Sequence, residues 1–212
     1  MTPTPVLTTA RAKAPATVLA LAVVVSLAAG CSDDGDAARP GTTDPSTSAA
    51  PSPATADEQL ATTTTLRTVT GGRLSRAERG AVRDRVTAVV DDWFERAYLG
   101  GDYPRTDFTD AFDAFTPGAR ARAVDDRKLM SNAAVGTTTY AVRALARRAV
   151  VDVLAVAGRA DAATVQFRLG MARAGESGAE RRERVSGHLF LTFRKGDGWQ
   201  VFGYDVQRGD LA

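Results

Sequence analysis

The 212-residue chain carries 27 Lys and Arg against 25 Asp and Glu, and a formal net charge of +2 excludes the clearly basic surface on which nucleic-acid binding relies. One cysteine excludes an intramolecular disulfide, and one histidine excludes a His- or Cys-rich zinc centre. No metal, cofactor or nucleic-acid partner is therefore expected, and whatever folds must be held by its apolar core.

Residues 1–13 are polar and carry Arg11 and Lys13 with no acid. Residues 14–29 form an apolar run centred on Val18-Leu19-Ala20-Leu21-Ala22-Val23-Val24-Val25, and small residues then lead to Cys31. A positive start, a short apolar stretch and a small-residue cleavage site mark a secretory signal. About 15 apolar residues fall short of the ~20 that span a hydrocarbon core. Ala28, Ala29 and Gly30 directly before Cys31 resemble the lipobox of bacterial lipoprotein signal peptides, although Leu is more usual at the Ala28 position. The resemblance implies diacylglycerol on the Cys31 thiol, cleavage between Gly30 and Cys31, and a lipid-anchored protein on the extracytoplasmic face of the cell membrane. Lys13, Lys128 and Lys195 are the only lysines, and this bias towards Arg and Ala points to a GC-rich actinobacterial genome.

Residues 32–73 hold Pro40, Pro45, Pro51 and Pro53 among Thr, Ser, Ala and Gly. So little apolar surface cannot offset the entropy of ordering, which predicts a disordered tether over residues 31–73. A flexible segment of that length has a reach of about 35 Å.

The globular domain is expected over residues 74–212. Ser75-Arg76-Ala77-Glu78 fits a capping box. Val82, Val86, Val89, Val90, Trp93, Ala97 and Tyr98 then recur at helical spacing, and Gly100-Gly101 supplies a stop. Phe108, Phe112 and Phe115 form a second short helical stripe, read as core. Thr116-Pro117 opens a third helix to about Asn132. Strand patterns follow over residues 137–147 and 149–157, and Gly158-Arg159-Ala160-Asp161 is read as a turn. Val165, Phe167, Leu169 and Met171 alternate with polar residues, as do Leu189, Leu191 and Phe193 on a later strand. Gly196-Asp197-Gly198 makes a hairpin into the last strand. The expected fold class is α+β, with three N-terminal helices packed on a curved antiparallel sheet of four to five strands.

That order, with Trp93, Phe94 and Tyr98 at the end of the first helix and the closing Gly198-Trp199-Gln200-Val201 and Tyr204-Asp205-Val206, resembles the nuclear transport factor 2-like superfamily. Cell-envelope members associated with mammalian-cell-entry lipid transporters carry a similar Gly-Trp-x-Val strand. The resemblance implies a cone-shaped fold with a cavity, which some members use for isomerase or cyclase chemistry with an internal Asp or His. His188, Tyr204 and Trp93 are the cavity candidates, with Asp152 and Tyr140 behind them. No catalytic role carries over, because none aligns with a family motif.

His188 is the sole histidine, and a free imidazole titrates near pH 6.5 and can act as a base. It shares a strand face with Phe190 and Thr192, and that face points either into the cone or out to water. Arg147-Arg148 and Arg181-Arg182-Glu183-Arg184 are local basic clusters that could touch anionic headgroups or serve as solvated sheet edges. The chain has no phosphate-binding glycine loop and no nucleophile elbow. The sequence thus leads to a membrane-anchored, non-catalytic binding or accessory domain for a partner protein or apolar ligand. A small cyclase, isomerase or hydrolase of the same superfamily is the alternative.

Overall fold

The structure, a computed structural model, describes residues 60–211. Cys31, Gly30 and the expected tether up to residue 59 lie outside the described residues. Five strands stand in chain order in one sheet: β1 (Thr63–Thr70), β2 (Ala141–Val156), β3 (Arg159–Ala174), β4 (Glu180–Arg194) and β5 (Gly198–Asp210). Strands β2 to β5 pair antiparallel, whereas β1 pairs parallel to β2. The crossover that a parallel pair requires contains the helices α1 (Arg76–Phe94), α2 (Pro117–Asp125) and α3 (Arg127–Met130).

This corrects the expected fold class. Three leading helices on an antiparallel sheet, the order on which the nuclear transport factor 2-like cone rested, is not the order found. A strand comes before the first helix, and the sheet is mixed. The cause lies in Thr63–Thr70, whose sequence is TTTLRTVT. Threonine and valine are stiff at χ1 and fit a pleated surface. An edge strand with one inward face needs little apolar mass, and only Thr64, Leu66 and Val69 turn partly inward. A reading based on apolar content took this segment for tether.

Helix α1 begins with the expected box. The Glu78 amide donates to Ser75 Oγ at 3.2 Å, and the Ser75 amide donates to Glu78 Oε2 at 2.8 Å. Its inward face buries Val82, Val86, Val90, Trp93 and Phe94. The helix then widens into a π-helical turn, Glu95–Leu99, closed where the Gly100 amide donates to the Glu95 carbonyl at 2.7 Å. Trp93 meets the Phe167 ring edge-on at 5.1 Å, and Phe94 meets the same ring at 5.8 Å, so α1 and β3 share one aromatic centre. Phe108, Phe112 and Phe115 are buried in that core.

The third helix of the sequence reading is two helices, because the backbone leaves helical geometry at Asp126 (φ −86°, ψ 13°). The Asp126 carboxylate instead accepts the Tyr204 hydroxyl at 2.8 Å. Of the two stretches expected over 137–157, the first begins late, because Gly136–Thr138 is a short 3-10 turn, and the two are otherwise one strand, β2, irregular between Ala144 and Ala146 and between Leu154 and Ala155. It turns back through Ala157 (φ 49°) and Gly158 (φ 76°), the two positive φ values that a type I′ hairpin demands.

Two clusters of buried charge hold the helix-covered side together. Arg147, with a side chain only 5% exposed, donates to Asp91 at 2.7 Å, to Glu95 and to Thr62 Oγ1 at 2.9 Å. It thereby joins β2 to α1 and to the residue before β1. At nearly the same level along the strands but towards the β5 edge, Glu183 accepts from Arg173 and from Arg208 Nε at 2.9 Å. Arg208 also donates to the Ser131 carbonyl and the Asn132 side chain. Burial alone would raise the Glu183 carboxyl. Hydrogen bonds and charge from the two arginines outweigh it and hold the group below its ordinary 4.5.

Removing the central anion strands two largely buried guanidinium groups, so Glu183→Gln is expected to destabilise the fold by roughly 3–5 kcal/mol in urea unfolding. Because the folded carboxyl is depressed, its contribution is complete above 4.5 and fades as pH falls through the lower folded value. Unfolding measured between pH 7 and pH 3 should show a steeper acid loss for the wild type than for the variant.

Candidate functional site

Pleating sorts the strand residues onto two faces. Val151, Val165 and Leu189 point into the core and are fully buried. Their neighbours Val150, Gln166 and His188 point the other way. The helices pack on the first face, and the second carries exposed and half-buried side chains. Strand β5 follows the same scheme after a bulge. Phe190 pairs with Gly203 and Leu191 with Val201, which leaves Phe202 as the extra residue and resets the phase so that Asp205 and Gln207 face outward.

Register aligns these outward residues in rows across the sheet. One row runs Arg148, Arg168, Ser186, Gln207, and the next runs Val150, Gln166, His188, Asp205. Together they line a groove of about 390 Å³. Gly187, at its centre, has φ 153°, and a Cβ there would lie 1.9 Å from the Asp205 carbonyl oxygen. Only glycine lets β4 and β5 approach this closely beneath the groove.

His188 is half-buried in the groove, with its ring parallel to Phe190 (centroids 6.4 Å apart, 13° between planes). Ser186 and Asp205 line the same groove, yet among the described residues His188 makes no hydrogen bond to either. A nucleophile and base need contact near 2.6–3.2 Å. The arrangement is thus a set of separate polar groups and not a relay.

Arg148 and Arg168 stand directly opposite each other on β2 and β3. Both are exposed, and neither has an acidic partner among the described residues. In the row beyond Val150, Asp152 is already engaged. It accepts from Arg67 Nε at 3.0 Å and from Thr68 Oγ1 at 2.5 Å, and these bonds hold its carboxyl below the usual range.

The other sequence candidates are not brought to this place. Trp93 is 1% exposed in the core, its indole Nε1 donating to the Met130 carbonyl at 3.2 Å. Tyr204 is on the helix-covered side, against Asp126 and with the Arg122 guanidinium 5.2 Å from its ring centroid. Burial and the neighbouring carboxylate push its hydroxyl up to about 12. Tyr140 is an exposed residue just ahead of β2. His188 is thus on the open face, whereas Tyr204 and Trp93 lie on the covered side with Phe115 in contact with both rings. No group of three or more His, Cys, Asp or Glu residues is placed to hold a metal among the described residues.

A second cleft of about 720 Å³ runs between β1 and α1, lined by Thr64, Leu66, Leu74, Arg76, Arg79 and Gly80 among others. It follows the free edge of the sheet and brings no histidine or acid to its wall. Arg148, Arg168, Gln166, Ser186 and Gln207 were not singled out as groove residues from the sequence. The signal that finds them is the alternation of Ser186, His188 and Phe190 against Val185, Leu189 and Leu191.

Comparison with family models, with curated proteins and with solved structures returned no match. Among the described residues, no helix is long and apolar enough to cross a membrane.

Replacing Gly187 with Ala should cost about 2–5 kcal/mol, from backbone overpacking and an unfavourable φ together. Gly80→Ala on α1, where a Cβ meets nothing within 4 Å, should instead gain about 0.5–1 kcal/mol. Thermal unfolding of the two variants side by side checks both signs.

Proposed function

We propose that the chain is a cell-envelope lipoprotein, anchored through a lipid on Cys31, whose folded domain is a non-catalytic binding or accessory module. Its ligand or partner is received on the sheet face that the helices leave open. The observation that carries this reading is the make-up of that face. Large apolar side chains stay exposed on it, Leu154 at 43%, Val156 at 53% and Phe202 at 52%, and Phe190 lies beside the groove. Leu154, Phe190 and Phe202 line a neighbouring hollow of the same face, and exposed apolar residues gathered in this way are characteristic of interaction surfaces. The lipobox-like Ala28-Ala29-Gly30-Cys31 supports the anchor.

Fractionation of cells expressing wild type and Cys31→Ala tests the anchor. Wild type should sediment with membranes and carry the mass of a diacylglycerol-modified, signal-free chain, while the variant should lose both properties. Equal membrane association and equal mass for the two would overturn the assignment. Native mass spectrometry of the detergent-solubilised protein tests the binding reading. A retained ligand or partner is expected on wild type and should be depleted in the double variant Phe190→Ser, Phe202→Ser. Identical spectra for the two forms would sink it.

A further inference from the structure

We infer that the groove receives the phosphoryl group of a phosphate monoester, held by Arg148 and Arg168. The inference rests on the binding reading above and names the chemistry of its ligand. Two guanidinium groups directly opposite on adjacent antiparallel strands repel each other, and like charges so placed destabilise a sheet. Nothing within the described residues relieves the repulsion. Asp152 is taken by Arg67 and Thr68, Glu180 by Arg143, and Glu183 points into the core. Asp205 lies two strands from Arg168, about 10 Å at ordinary strand spacing, and forms no ion pair with it. A pair of cations kept together at a cost to the fold is a site prepared for an anion.

The rest of the row fits the same ligand. Ser186 and Gln207 continue it with a hydroxyl and an amide, and Gln166 lies in the neighbouring row. These neutral side chains can donate without adding competing charge. Guanidinium forks match phosphate oxygens in pairs, and two of them balance a dianion. A groove of about 390 Å³ falls in the range of small-molecule sites and exceeds what inorganic phosphate fills. Val150 and the ring of His188, which is backed by Phe190, offer surface for the organic part of the ester.

Titration calorimetry on the full mature protein in neutral detergent tests this, with phenyl phosphate as probe. Phenyl phosphate should bind tenfold or more tightly than inorganic phosphate or benzoate. Arg148→Ala and Arg168→Ala should each weaken it at least tenfold. Both residues are exposed, and loss of either removes the repulsion, so each ligand-free variant should melt no lower than wild type. That readout separates a lost site from a lost fold. Dihexanoyl phosphatidic acid and glycerol 1-phosphate distinguish the source. Tighter binding of the first identifies a lipid headgroup, tighter binding of the second a soluble ester, and either supports the site. Binding indifferent to both arginines, or equal affinity for benzoate, overturns the phosphate assignment. If phenyl phosphate fails while the retained mass still depends on Phe190 and Phe202, the phosphate site falls and the binding reading stands. If both are absent, both fall.

Discussion

A slip of one residue along β3 would exchange the two faces of the sheet, carrying Phe167 to solvent and Arg168 into the aromatic centre beneath Trp93 and Phe94. Every other property described here depends on that register. It is held by the size of the rings that meet at Phe167, by the two-residue turn at Ala157-Gly158 and by the bulge that places Phe202 out of step. The bulge matters most for the groove. Without it Asp205 and Gln207 would turn towards the helices, and the outward rows would stop at β4.

Arg147 and Arg148 show what the same constraint does to charge. They are adjacent in sequence and lie on opposite sides of one strand. Arg147 is buried, and two carboxylates with a threonine hydroxyl offset the loss of its hydration. Arg148 is exposed with no such set, facing another arginine. The buried clusters around Arg147, towards the β1 edge, and Glu183, towards the β5 edge, satisfy the charge of the helix-covered side with internal ion pairs. Unsatisfied charge is left to the open face.

Much of this order was legible in the chain. The capping box and the helical recurrence from Val82 to Tyr98 define α1 and the π-helical turn that follows it, and the glycines at 158, 196 and 198 mark the β2–β3 and β4–β5 hairpins. Strand β1 was not legible as structure, because its threonines read as polar tether and its partner is 85 residues away at Arg148. Parallel pairing over such a distance leaves no local trace. For the groove, the alternation was visible but its sense was not. Whether His188 faced the core or the outside depended on where the helices pack, which sequence periodicity alone does not fix. The resemblance to a cone with an internal cavity grouped His188 with Tyr204 and Trp93. The pleat puts His188 on the open face, while Tyr204 and Trp93 share the covered side, both against Phe115.

The parallel edge strand has a mechanical consequence. The chain enters the folded domain at Thr62 and runs straight into β1, whose hydrogen bonds to β2 extend from Thr63 to Thr70. Tension arriving from the amino-terminal side pulls β1 lengthwise, in the direction that shears a ladder, so its evenly spaced bonds share the load and do not open one by one. The Arg147–Thr62 contact stands at the point where that load arrives. A threonine-rich strand with little apolar mass thus gives the domain a shear-loaded grip on the chain that enters it at Thr62.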